Sequence, residues 1–226
     1  MSAIHFPADG SHLERYATVF NAVEINSCFR RRHRASTYER WARSVPEGFR
    51  FSLKVPKSIT HVRRLAACEE LLGEFLDEIA PLGARTGPLV VQLPPSLALD
   101  VPVAEAFFDG FRARWHGGLV CEPRHPSWFG GEWQKLLETY GVGRVAADPV
   151  IAPGAGEPGG FPGSVYYRLH GSPRTYYSAY GPERVAEYAE RLRVAAMTGA
   201  DTWCIFDNTT LGAAAADALE ARRLLA

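Results

Sequence analysis

Short apolar runs of strand length alternate with longer amphipathic stretches along nearly the whole chain. No other feature restricts the fold as much. The runs are residues 22–26 (AVEIN), 49–55 (FRFSLKV), 89–93 (LVVQL), 118–122 (GLVCE), a weaker 142–147 (VGRVAA), 164–169 (SVYYRL) and 202–206 (TWCIF). They are rich in β-branched or aromatic residues, which suit a pleated, half-buried ribbon. Between them, apolar residues recur at helical spacing: Leu13, Tyr16, Ala17 and Phe20, then Leu71, Leu72, Phe75, Leu76 and Ile79. Val103, Phe107, Phe108 and Phe111 repeat the stripe, as do Val185, Tyr188, Ala189 and Leu192. Such spacing places one apolar face along each helix. Pro81 and Gly83 act as stop signals, Thr37 as the start of a short helix, and residues 213–225 as a closing Ala/Leu-rich helix.

Strand–helix alternation predicts parallel strands covered by helices. Residues 149–163 break the pattern. They hold five glycines and four prolines and no apolar period, which predicts an irregular connection where a helix is reduced or missing. About seven strands precede the last helix, whereas a closed (β/α) barrel needs eight. Either residues 1–6 supply a stunted first strand or that strand is lacking. The competing fold is an open doubly wound sheet.

The length of 226 residues suits a single domain with one core. Lys plus Arg equals Asp plus Glu at 25 each, so net charge gives no drive toward nucleic acid or anionic membrane. Cys28, Cys68, Cys121 and Cys204 form no C-x-x-C pair, which fits reduced thiols rather than a disulfide framework. No run reaches the roughly 20 apolar residues of a membrane span. The first dozen residues lack the basic start and apolar core of a signal peptide, so the expected location is cytoplasmic.

Six ordered segments resemble the YecE-like family, also called domain of unknown function 72. They are FNAVEINSCF (20–29), FRFSLKVPKSITH (49–61), VVQLPPS (90–96), EPRHPSW (122–128), YYRLHG (166–171) and FDNTTLGAAAADAL (206–219). The resemblance covers the chain from about Leu13 onward. It implies a TIM-type barrel and no established activity. The chain departs from the family at two places. The G-x-S-G-W-type opening strand is not seen, and Arg30, Arg31 and Arg32 stand where Tyr, Arg and Pro are usual.

In such a barrel, working side chains project from the C-terminal strand ends. Those ends supply Glu24, Asn26, Lys54, Lys57, Gln92, Glu122, Arg124, His125, Asp148, Arg168, His170, Asp207 and Asn208. Glu122 and Arg124 share a face by strand alternation, as do Arg168 and His170. Glu122, His170, Lys54 and Glu24 are the candidate catalytic groups, against the alternative that they only brace the fold. Arg124, Arg168, Asn26, Gln92, His125, Trp128 and Asn208 are the candidate binding groups. Trp128 and Phe29 can stack on a ligand or pack in the core. His61, after Thr60, is a capping, solvent-facing or catalytic histidine. Metal and cofactor requirements stay open, because no local ligand motif is present.

The expected activity is acid/base chemistry on a small anionic substrate, phosphorylated or carboxylated. Arg124, Arg168 and Lys54 would hold the anion, while Glu122 and His170 would move protons. The alternatives are a metal-assisted phosphodiesterase or nuclease, and a non-catalytic module binding nucleic acid or protein through residues 30–34 (RRRHR).

Overall fold

The computed structural model describes residues 5–226. Within them the chain divides into two compact units, residues 6–128 and residues 129–226. The stunted first strand falls mostly on residues 1–4, outside the described residues. His5 and Phe6 lie in a turn and bend.

The first unit starts with helix α1 (His12–Ala17). Ser11 caps it, accepting from the Glu14 amide, while the Glu14 carboxylate takes the Ser11 amide. This reciprocal pair satisfies two otherwise orphaned donors. The helix stops short of Phe20, whose ring instead packs tilted against Tyr16 at 4.8 Å. Strand β1 (Ala22–Ile25) leads through a 3-10 turn to α2 (Ala35–Arg43). That helix begins two residues before the Thr37 start read from the sequence. Strand β2 (Arg50–Lys54) is followed by a π-helical turn (Ser58–Val62) and α3 (Glu69–Ile79). After α3, Pro81 and Gly83 sit in a 3-10 segment, as stop signals should. Then come β3 (Thr86–Gln92), α4 (Val101–Arg112) and β4 (Leu119–Glu122). Asp100 caps α4 by accepting from the Val103 amide, and Pro102 occupies the first turn, where it forfeits no bond.

Strands β1 to β4 pair in sequence order, all parallel. Glu24 lies opposite Ser52, Lys54 opposite Val90, and Gln92 opposite Glu122. Side chains alternate along a strand and partners share a side, so Glu24, Ser52, Lys54, Gln92 and Glu122 all project from one face. Val23, Ile25, Leu53, Val91 and Cys121 project from the other. One irregularity, where β3 carries an extra residue opposite Phe51–Leu53, adjusts the register before the polar stretch begins.

The second unit contains α5 (Gly131–Thr139), β5 (Gly143–Arg144), β6 (Ala146–Asp148), β7 (Gly159–Gly160), β8 (Ser164–Leu169), α6 (Pro182–Met197), β9 (Asp201–Phe206) and α7 (Ala213–Leu225). The order β6-β8-β9 is parallel, while β5 and β7 pair antiparallel. Here the sequence reading needs two corrections. The run 142–147 is not one strand, because the chain changes partner at Val145. Helix α5 is additional; Trp133, Leu136 and Leu137 form its buried stripe. The irregular connection over residues 149–163 is present, with only β7 as regular structure. Tyr167, Leu169, Val185, Tyr188 and Leu192 form the core that joins β8 to α6.

The fold is therefore mixed α/β with parallel sheets and helical crossovers. Backbone ladders among the described residues trace no closed ring of eight strands. No described helix is long and apolar enough to cross a membrane.

Candidate functional site

Each unit gathers its own polar cluster at the C-terminal ends of its parallel strands. In the first unit the cluster is built on Glu122, which is 0% exposed. Its neighbour across β3, Gln92, donates Nε2 to both carboxylate oxygens at 3.0 and 3.1 Å. Arg124 Nε donates to Oε1 at 2.7 Å, and a second guanidinium nitrogen approaches the same oxygen at 2.6 Å. The two residues pair as alternation along the strand requires. Oε1 thus already takes three donors, so this geometry favours the bracing role for Glu122: it fixes the guanidinium of Arg124, which stays partly open to solvent.

Around Arg124 stand the groups that the turns after β1 and β2 deliver. Lys54 Nζ lies 3.9 Å from the centre of the Phe29 ring, a cation–π contact. His61 meets the same ring edge-on at 5.0 Å. Its Nδ1 is 2.9 Å from the Thr60 hydroxyl. Burial depresses the His61 pKa first, and Lys54, Lys57 and Arg124 add to the depression. Asn26, just after β1, has a buried side-chain oxygen without a hydrogen-bond partner. Glu24 is buried on the same sheet face.

Other expected residues serve the scaffold. Trp128 is 1% exposed and donates its indole N–H to the Leu97 carbonyl at 2.6 Å, so it packs in the core instead of stacking on a ligand. His125 Nδ1 accepts from the Ser127 amide at 3.2 Å and lies 2.8 Å from that residue's hydroxyl, which closes the turn after β4. Within the 30–34 run, Arg32 is held by Glu74 and Glu78 of α3, and His33 Nε2 is bound to the Ser27 hydroxyl. Those contacts tie the middle of the run down.

In the second unit, Arg168 and His170 share a face of β8, as expected, and both reach Asp207 beyond the end of β9. His170 Nδ1 donates to Oδ2 at 3.0 Å, and Arg168 approaches the same oxygen at 3.5 Å. Arg168 is 1% exposed, so this carboxylate offsets part of an otherwise severe desolvation. The carboxylate can only accept, which puts the neutral ring's proton on Nδ1 and makes Nε2 the accepting nitrogen. Asn208 is fully buried, donating to the Ser178 carbonyl at 3.0 Å and to Asp217 at 2.7 Å. It braces the loop into α7 and is not exposed for ligand binding.

A second buried carboxylate, Asp148, accepts from the Tyr180 hydroxyl at 2.6 Å and from Arg184 at 2.8 Å. Burial, then the bond to Asp148, holds the Tyr180 hydroxyl protonated far above the ordinary range. Tyr180 and Arg184 escaped the sequence reading, since nothing local marks residues more than 30 positions from their partner. Among the described residues, no three His, Cys, Asp or Glu side chains gather as a metal site would require.

This fold recurs in known proteins. The UPF0759 protein YecE of Escherichia coli K12 is 35% identical over 142 residues, covering 60% of this chain and 52% of that protein. Its counterpart in E. coli O157:H7 is 34% identical over the same length. The chain spans about half the length of the curated relatives it matches. A crystal structure of a DUF72-family protein from Enterococcus faecalis V583 superposes with a TM-score of 0.81 at 21% identity, covering 99% of this chain and 91% of that one. A DUF72-family protein from Thermotoga maritima MSB8 gives 0.72 at 25% identity, covering 93% and 87%. The model for proteins of unknown function DUF72 matches residues 5–226, and the chain belongs to that family.

Proposed function

We propose that the first unit binds a small oxyanion, phosphorylated or carboxylated, at the ends of β1, β2 and β4, and that acid/base chemistry acts on it there. One observation carries the reading: Lys54 and His61 meet the same Phe29 ring, and Lys57 and Arg124 add positive charge beside that imidazole. Together with Arg124, partly exposed beside its Glu122 pair, Lys54 and Lys57 would give an oxyanion favourable charge. Arg124, fixed by Glu122, offers a forked donor, and Lys54 offers a point charge. The unpartnered Asn26 oxygen supplies an acceptor for a hydroxyl on the same ligand. Within the second unit, and apart from this anion site, the accepting Nε2 of His170 has the tautomer a general base needs. Parallel pairing with helical crossovers supports the wider reading of a single (β/α)-barrel domain.

Titration with inorganic phosphate at fixed ionic strength tests the site. The midpoint of thermal unfolding should rise with phosphate in the native chain and stay flat in the double variant Lys54→Met, Arg124→Gln. A native midpoint that responds to phosphate no more than to chloride would sink the proposal.

A further inference from the structure

We propose that His61 is the proton carrier of this anion site, taking up a proton when an oxyanion docks among Lys54, Lys57 and Arg124. The assignment rests on the anion-site reading and names the residue that couples ligand charge to a proton.

Geometry supports it in three ways. First, His61 is held but not immured. It is half-exposed, with one ring edge on Phe29 at 5.0 Å, and Phe29 itself carries Lys54 on its face. Secondly, its Nδ1 has a partner suited to both protonation states. Thr60 Oγ1 is fully buried, 2.9 Å from Nδ1 and 3.4 Å from the Pro56 carbonyl. The hydroxyl can donate to a bare Nδ1. It can also accept from a protonated Nδ1 while its hydrogen turns to Pro56. Protonation therefore orphans no group. Thirdly, the cations that act on the ring come from three separate elements: Lys54 from β2, Lys57 from the turn after it, and Arg124 from the segment after β4, where Glu122 holds it. Two carboxylates share that face of the sheet: Glu122, committed to Gln92 and Arg124, and Glu24, buried on β1.

The sign follows directly. Without an anion, burial and the three cations depress the imidazole pKa below 6.5, so the ring is neutral at pH 7. A docked oxyanion offsets those cations and places negative charge beside the ring, which raises the pKa. The proton comes from solvent, no covalent bond changes, and the resulting imidazolium can donate from Nε2 to the bound oxyanion. Linkage then requires anion affinity to strengthen as pH falls through the interval between the depressed and the raised pKa.

Sulfate is the probe, because it does not itself titrate in this range. Calorimetric titration of the whole chain with sulfate near pH 6.5, in two buffers of different ionisation enthalpy, reads the protons taken up per anion. The expected value is about 0.3 to 1. His61→Gln should bind sulfate with no uptake. In the unsubstituted chain, the His61 ring resonance should titrate at least about half a pH unit higher with saturating sulfate than without it. Sulfate binding with no proton uptake, equal uptake in His61→Gln, or an unmoved His61 resonance would overturn the role of His61 and leave the anion site standing. Failure to bind sulfate at all would overturn both.

Discussion

Removing the Asp207 carboxylate takes a shared acceptor from Arg168 and His170 at once. Arg168 is nearly inaccessible, so Asp207→Ala should lower unfolding free energy by roughly 3 kcal/mol, measured by urea denaturation. A loss under about 1 kcal/mol would mean that the guanidinium is sustained by its other contacts. The thiols give a second check. Burial raises Cys28 to about 12 and Cys68 to about 11, and lifts Cys121 well above its ordinary value. At pH 8 no more than one of the four cysteines should react with Ellman's reagent until denaturant is added. Residues whose partners lie close in sequence were legible: alternation alone paired Glu122 with Arg124 and put Arg168 beside His170. Trp128 was not, because the carbonyl it bonds belongs to Leu97 on the preceding connection. The neighbourhood of His61 was equally hidden, since Arg124 comes 63 positions later and no local pattern encodes that approach.

Two glycines, one capping α5 and one in β7, have opposite tolerances. Gly130 caps α5 with ordinary extended dihedrals and no side-chain bond, and an added Cβ would touch nothing. Gly130→Asp should therefore stabilise the chain by about 0.5 kcal/mol through a cap bond and a favourable helix-dipole interaction. Gly160, in β7, has φ +68°, and an added Cβ would sit 2.4 Å from the Val142 carbonyl oxygen. Gly160→Ala should cost about 3 kcal/mol, combining left-handed strain with a backbone clash. Chemical denaturation of both variants decides whether the sign reverses between the two positions. Helices α3, α4 and α6 were legible because their apolar stripes run for several turns. Helix α5 was not, because it has only nine residues and opens on paired glycines that read as loop. The break between β5 and β6 was hidden for another reason: a change of strand partner leaves no trace in composition.

Across the entire chain, 25 basic residues balance 25 acidic ones, so intermolecular repulsion is weakest near neutrality. Light scattering at low salt should show the second virial coefficient at its lowest near pH 7 and rising on either side. A monotonic trend would show that a few exposed clusters, such as residues 30–34, govern association instead. Six dispersed motifs made family membership legible over most of the length. The course of the strands beyond neighbouring pairs was not, because each pairing is a long-range event that strand propensity does not specify.

The alternation in β1 to β4 also restricts how the length of this chain can change. Glu24, Lys54, Gln92 and Glu122 reach one side of their sheet because the pairing register aligns them and side chains alternate along each strand. A single deletion inside Leu119–Glu122 would swing Glu122 toward the helix side and leave Arg124 without its brace. An odd step within a strand needs a compensating irregularity, such as the extra residue that β3 carries opposite Phe51–Leu53. Related chains aligned over these strands should show gaps in the loops, or in pairs, and not singly within the ribbons.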